Sequence, residues 1–273
     1  MSVRDRIATD LVISPLGADA AAMLDVARCA ENSGYDGICT LDHFSGTMLD
    51  RPWSRELFTV LGGFAAVTSS VRIGALVANT VNRHASLLAS AAATLQSMSG
   101  GRAVLGIGSG PGPGSRFAGE QDAIARPLAD GEGRRRSLVE HIEVVRLLWQ
   151  GGGHYDGEFV TLRGLDGVVG PEPEIPVIVG ASGPLTVEVA CARADGVNIV
   201  VGARADELVG MARGLTGHRP FEIGIYDTID LDHAHGGDVD RWAALGVDRR
   251  TLAVRPPFDL EAIARVGAAL NAA

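Results

Sequence analysis

Short apolar runs rich in Val, Ile, Leu and Gly recur along the chain, and between them lie longer stretches whose apolar positions fall three and four apart. The clearest unit covers 71–114. VRIGALVA reads as a buried strand, and ASLLASAAATLQSM sets Leu87, Leu88, Ala91, Ala92, Leu95 and Met98 at helical spacing. Gly100 and Gly101 stop that helix, RAVLGIG returns as a strand, and SGPGPG follows as a glycine-dense loop. Two strands joined through a helix of this length pair in parallel by a right-handed crossover.

The same alternation predicts strands at 10–14, 37–41, 71–78, 102–108, 176–180, 197–201, 221–226 and 251–254. Predicted helices run from Asp19 to about Asn32, stopped by Gly34, and from Ser54 to Thr68. Others cover Arg134–Trp149 with a Leu138, Ile142, Val145, Leu148 stripe, Pro184–Ala194 and Ala203–Gly214, and two begin at Asp238 and Asp259. Eight strands strictly alternating with eight helices predict a closed (β/α)8 TIM barrel rather than an open sheet. One barrel domain is expected over 1–273, with excursions at about 108–133 and 151–176, the second holding a YDGEFVTL surface hairpin. Chemistry in such a fold sits beyond the carboxyl ends of the strands.

Composition narrows the chemistry. A net charge of −9 argues against nucleic acid as a partner, because a phosphate-binding face needs a basic excess. MSVRDRIATD has no apolar signal core, and no apolar run approaches the roughly 20 residues that cross a bilayer, so a cytoplasmic protein without a membrane partner is expected. Cys29, Cys39 and Cys191 form no CxxC and read as buried thiols. All 24 basic residues are arginine. Without lysine there is no Schiff-base aldolase, pyridoxal-phosphate or P-loop chemistry.

Several candidate sites stand at strand ends. Asp42-His43 follows the second strand, where a histidine serves for proton transfer or the pair simply caps a turn. The glycines of 106–114 bring backbone NH groups to an anion or form a mobile loop; they lack a dinucleotide fingerprint, and Pro111 and Pro113 each remove a donor. Pro184 suits a first helical position, so Gly183, Leu185 and Thr186 offer NH groups to a phosphate. Asp230, Asp232, His233 and His235 are either metal ligands or an exposed polar loop. Arg134-Arg135-Arg136 reads as a solvated helix end, and His141 and His154 need no special role.

GYDGICTLDHF (34–44), the run 71–110, the YDGEFVTL hairpin, VIVGASGP (177–184) and Ala194-Asp195-Gly196 together resemble the bacterial luciferase-like superfamily of flavin- and deazaflavin-dependent oxidoreductases. The resemblance implies a luciferase-like barrel with a non-proline cis peptide near Leu76-Val77, whose bulge supports the central cofactor ring. It implies that Asn79 faces the ring and that Gly108, Ser109, Gly110, Ala181, Ser182 and Gly183 reach the tail and its phosphate. Asp42 and His43 would lie beside ring and substrate, His43 orienting substrate or exchanging its proton and Asp42 holding His43 or the ring edge. DHF and ASGP resemble the deazaflavin branch, which implies coenzyme F420, a small uncharged organic substrate and a homodimer; FMN and a luciferase-like monooxygenase are the alternative.

The chain departs from the sugar-phosphate dehydrogenases of that branch, which have a glutamate shortly after the glycine loop and lysines for substrate phosphate. Here Pro111 follows Gly110, and the missing acid leaves a non-catalytic deazaflavin-binding protein as a further alternative. A metal-dependent barrel hydrolase using His43, His233 and His235 is the alternative of another class.

Overall fold

Strand β1 (Ala8–Ile13) is buried along its whole length and pairs in parallel on both sides, with β2 (Gly37–Thr40) and with the last strand of the chain. The computed structural model describes residues 7–227 and 237–270. From β2 the sheet continues through β3 (Arg72–Ala75), which is prolonged by β4 (Ala78–Asn79), to β5 (Ala103–Gly108). The hairpin strands β6 (His154–Asp156) and β7 (Thr161–Arg163) pair antiparallel outside it. Strands β8 (Val177–Ala181), β9 (Gly196–Val200), β10 (Glu222–Asp227) and β11 (Arg249–Val254) complete the ring, β11 meeting β1 with Ile13 opposite Val254. The staves close as the parallel eight-stranded barrel expected from the alternation, β3 and β4 forming one interrupted stave.

The helices wrap this barrel in chain order. They are α1 (Ala20–Ser33), α2 (Leu57–Val67), α3 (Ala85–Ser99), α4 (Gly119–Ala123), α5 (Gly131–Trp149), α6 (Pro184–Arg193), α7 (Ala205–Thr216), α8 (Gly237–Ala244) and α9 (Leu260–Leu270). Asp19 caps α1 through a 3.0 Å bond from Ala22 N, and Gly34 ends it at φ +89°, as the sequence predicts. The start at Ser54 is corrected: Glu56 is the cap of α2, its carboxylate accepting from Thr59 N at 2.8 Å. Helix α5 likewise begins before Arg134, because Asp130 accepts from Gly133 N. The stripe on α3 is also shifted. Leu88, Ala89, Ala92 and Leu95 are buried, while Leu87 and Met98 are exposed. Gln96 takes an inward place because its amide donates to Pro173 O and accepts from Ala103 N, each at 2.8 Å.

The predicted strand 71–78 is broken by a cis peptide between Leu76 and Val77, at the bond the family resemblance indicates. Glycines make room for the break. A Cβ on Gly106 would lie 2.0 Å from Ala75 O, and Cβ atoms on Gly108 and Gly180 would lie 2.5 and 2.8 Å from the Val77 methyls. Gly106→Ala therefore overpacks the β3–β5 contact and is expected to cost about 1–3 kcal/mol in urea unfolding. A loss below about 0.5 kcal/mol, the size of an ordinary surface change, would mean the two strands tolerate separation.

At the opposite, amino-terminal end of the barrel, Asp10, Arg72, Glu222 and Arg249 form an ion cluster. Arg249 bonds Asp10, Arg72 Nη1 meets Glu222 Oε2 at 2.5 Å, and Arg249 Nε lies 3.5 Å from the same oxygen. Burial pushes the Asp10 carboxyl above its ordinary value despite Arg249 and Arg72. Burial acts the same way on Glu222, but the charges of Arg72 and Arg249 outweigh it and hold that carboxyl low.

Candidate active site

A pocket of about 430 Å³ opens at the carboxyl ends of the strands. Asp42, His43, Leu76, Val77, Asn79, Gly108, Ser109, Gly110, Ala181 and Ser182 all line it; Gly183 does not. Gly183 is instead the N-cap of α6, with Pro184 in the first helical turn as expected. The NH of Thr186 is not offered to a ligand, because it donates to Gly183 O at 3.2 Å.

Asp42 and His43 part company just after β2. Asp42 Oδ2 accepts from Asn79 N at 2.7 Å and from Arg83, whose other guanidinium nitrogen reaches Glu56 at 2.8 Å. Asp42 thus fixes the chain at Asn79, whose Oδ1 accepts from Val81 N at 2.9 Å. It does not hold the neighbouring histidine.

That task falls to Glu120, in the first turn of α4. Its Oε2 lies 3.1 Å from His43 Nδ1, and its Oε1 accepts from Phe44 N at 3.0 Å and Ser45 N at 2.7 Å. Glu120 is only 3% exposed and faces the pocket. Glu120 Oε1 already accepts from two backbone N–H groups, and a carboxylate Oε2 can only accept. Neutral His43 paired with it therefore carries its proton on Nδ1 and leaves Nε2 as the free ring nitrogen. The acid absent beside Gly110 is therefore present in space, ten positions further along the chain. This removes the reason for reading a merely deazaflavin-binding protein.

Helix α4 is tied down twice: beside Glu120, Gln121 donates from Nε2 to Asn82 Oδ1 at 2.8 Å. The signal available in the sequence was the acidic, helix-compatible GEQDA within a stretch otherwise filled with Gly, Pro and Ala. Phe117, just before α4, brings its ring to 6.2 Å from the His43 ring. Tyr226 lines the other side, and burial pushes its hydroxyl up, so it enters the pocket as a protonated phenol.

The pocket's far end is cationic. Arg134 and Arg135 line it, so only Arg136 of the triplet is the solvated residue expected, and it pairs with Glu158 at 2.9 Å. Arg134 Nη1 donates to Gly110 O at 2.7 Å, and its buried Nε has no partner. The residues 228–236, with Asp230, Asp232, His233 and His235, lie outside the described residues. Among the described residues no cluster of three or more His, Cys, Asp or Glu comes together as metal ligands, and no helix is long and apolar enough to cross a membrane.

The model of the luciferase-like monooxygenase family matches residues 5–215. The chain belongs to this family. Among family relatives it is 30% identical over 243 residues to the 5,10-methylenetetrahydromethanopterin reductase of Archaeoglobus fulgidus, covering 86% of this chain and 67% of that one. It is 30% identical over 176 residues to the F420-dependent glucose-6-phosphate dehydrogenase of Microbacterium testaceum, covering 64% of this chain and 51% of that enzyme. The chain thus spans about half the length of some curated relatives it matches. In structure it resembles an F420-dependent secondary alcohol dehydrogenase solved with an F420-acetone adduct, at a TM-score of 0.80 and 16% identity over 96% of this chain and 99% of that one. At that identity the likeness speaks for the fold.

Proposed function

We propose that this protein is an F420-dependent oxidoreductase that moves a hydride between the deazaflavin and a small, uncharged alcohol or carbonyl compound. The observation that carries the reading is the His43–Glu120 pair at the mouth of a barrel whose β3–β4 bulge stands under glycine-lined rims. Those rims leave room for a ring: Val77 rises between Gly108 and Gly180, where a Cβ would collide with it, and lines the pocket together with Asn79. Leu76, Val77, Asn79 and the Asp42 edge would hold the ring, while Gly108, Ser109, Gly110, Ala181 and Ser182 would take the phosphate-bearing tail. Gly183 would contribute through the amino end of α6.

When bound, the deazaflavin supplies a two-electron hydride donor or acceptor. The chain supplies proton control. His43 Nε2 takes the hydroxyl proton of an alcohol as its C–H hydride leaves, or returns that proton to a carbonyl oxygen in the reverse direction. Glu120 keeps the Nδ1–H tautomer and stabilises the imidazolium that forms. Phe117 and Val200 give the pocket an apolar wall on the side away from Arg134 and Arg135, whose end the cofactor tail would occupy. This argues for a neutral substrate over a sugar phosphate.

Fluorescence titration with F420 and with FMN tests the cofactor. The expected result is saturable F420 binding that is retained in His43→Ala, with turnover of a panel of small secondary alcohols lost in that variant by about 10²–10⁴-fold. Preferential FMN binding would move the protein to the monooxygenase reading. The proposal includes a cytoplasmic homodimer, which light scattering of the purified protein checks for the oligomeric part.

A further inference from the structure

Beside the cofactor pocket lies a second cavity of about 180 Å³, sharing Ser109 and Arg134 with it. Thr80, Arg83, His84, Arg126, Ser137 and His141 complete its polar lining, and no carboxylate lines it. That contrasts with a net charge of −9 and with arginines elsewhere in the barrel, such as Arg72, Arg146, Arg213 and Arg249, that meet an acid. Arg83 spends its charge on Asp42 and Glu56. His141 is driven toward the neutral form by burial, and its Nδ1–H donates to Ser137 O at 2.7 Å. The free positive charge therefore belongs to Arg126 and Arg134.

Among the described residues neither guanidinium has a carboxylate partner. Arg126 is anchored only through its backbone, whose NH donates to Gln121 O at 2.8 Å. Arg134 uses Nη1 on a carbonyl and keeps Nε buried and unpartnered. A buried N–H donor left without an acceptor is destabilising, and an arriving anion would relieve it. Because Ser109 and Arg134 belong to both cavities, a ligand whose tail passes Ser109 reaches Arg126 without leaving the protein surface.

We propose that this cavity is an anion subsite which receives an oxyanion of the cofactor's extended tail, phosphate or carboxylate, between Arg126 and Arg134. The inference rests on the deazaflavin reading above. A guanidinium binds either oxyanion through paired N–H donors, so the two sources share one recognition chemistry. The subsite makes the tail a contributor to affinity rather than a solvent-exposed appendage.

The test compares three probes by fluorescence titration: the tail-less deazaflavin riboside, the same chromophore with its phospholactyl group, and F420 with its glutamyl tail. Wild type and Arg126→Glu are titrated with each, and thermal melting establishes that the variant is folded, since Arg126 is exposed. The expected result is an affinity for F420 reduced about tenfold or more in Arg126→Glu, with the tail-less riboside unaffected. A loss already seen with the phospholactyl probe assigns the subsite to phosphate; a loss seen only with the glutamyl tail assigns it to carboxylate. Equal F420 binding by wild type and variant overturns the subsite and leaves the cofactor reading standing. Failure of wild type to bind any of the three probes overturns both.

Discussion

Replacing Glu120 with glutamine lowers kcat/KM by about 10²–10⁴-fold, with the loss in kcat rather than in cofactor affinity. Glutamine keeps the shape and its carbonyl oxygen still accepts from Phe44 N and Ser45 N, as Oε1 does in the wild type. Its amide nitrogen, however, then faces His43 Nδ1 and donates to it. The ring is turned to the Nε2–H tautomer and can no longer accept a proton at the position facing substrate. Catalysis thus fails for a reason separate from folding. Nitrogen-15 shifts of the His43 ring follow the proton moving from Nδ1 to Nε2 without any substrate. Wild-type turnover in Glu120→Gln with an unchanged pH profile would remove the pair from the mechanism.

The largest expected effect on stability comes from the other end of the barrel. Arg249→Met is expected to cost about 3–5 kcal/mol, because it leaves the buried Asp10 without its ion-pair partner and the half-buried Glu222 with one fewer cation beside it. Gly37 carries no side chain opposite Asp10, where a Cβ would sit 2.4 Å from Oδ1, so the cluster cannot relax toward that neighbour. The pH dependence has a definite sign. Glu222 is held below its ordinary value, so its contribution is complete above the unfolded-state value and is lost as the pH falls through the depressed folded value. Asp10 is raised by burial and acts oppositely, favouring the fold more when protonated and less as the pH rises past its ordinary value. Acid titration of urea midpoints should show a smaller acid-side loss in Glu222→Gln than in the wild type. An equal loss in both would assign the acid sensitivity to other carboxylates.

The barrel was legible because its signal is local. Apolar runs, Asp19, Gly34 and Gly100 mark element ends within a few residues of themselves, and the structure places them there. The shift of the α3 stripe came from a long-range demand: Gln96 serves Pro173 and Ala103, so a polar residue occupies a buried slot that periodicity reserves for apolar ones. Position 76–77 was legible only through the family motif, since no side chain there announces a cis bond. Glu120 escaped because His43 is 77 residues away and the intervening excursion has no period to fix where it returns. Arg134 escaped for a related reason. A triple-arginine run at a helix start reads as solvated, and only the path of Gly110 beneath it turns Arg134 inward.

Phe117, Glu120 and Gln121 all come from one contiguous excursion that leaves the barrel after β5 and rejoins it at α5. The outer wall of the pocket and the acid to which the proposed mechanism gives proton control are therefore inherited together, on a cassette joined to the barrel at two points. Under that proposal, exchanging the cassette between relatives would retune substrate range and acid–base balance in a single genetic step, leaving the staves from β1 to β5 untouched.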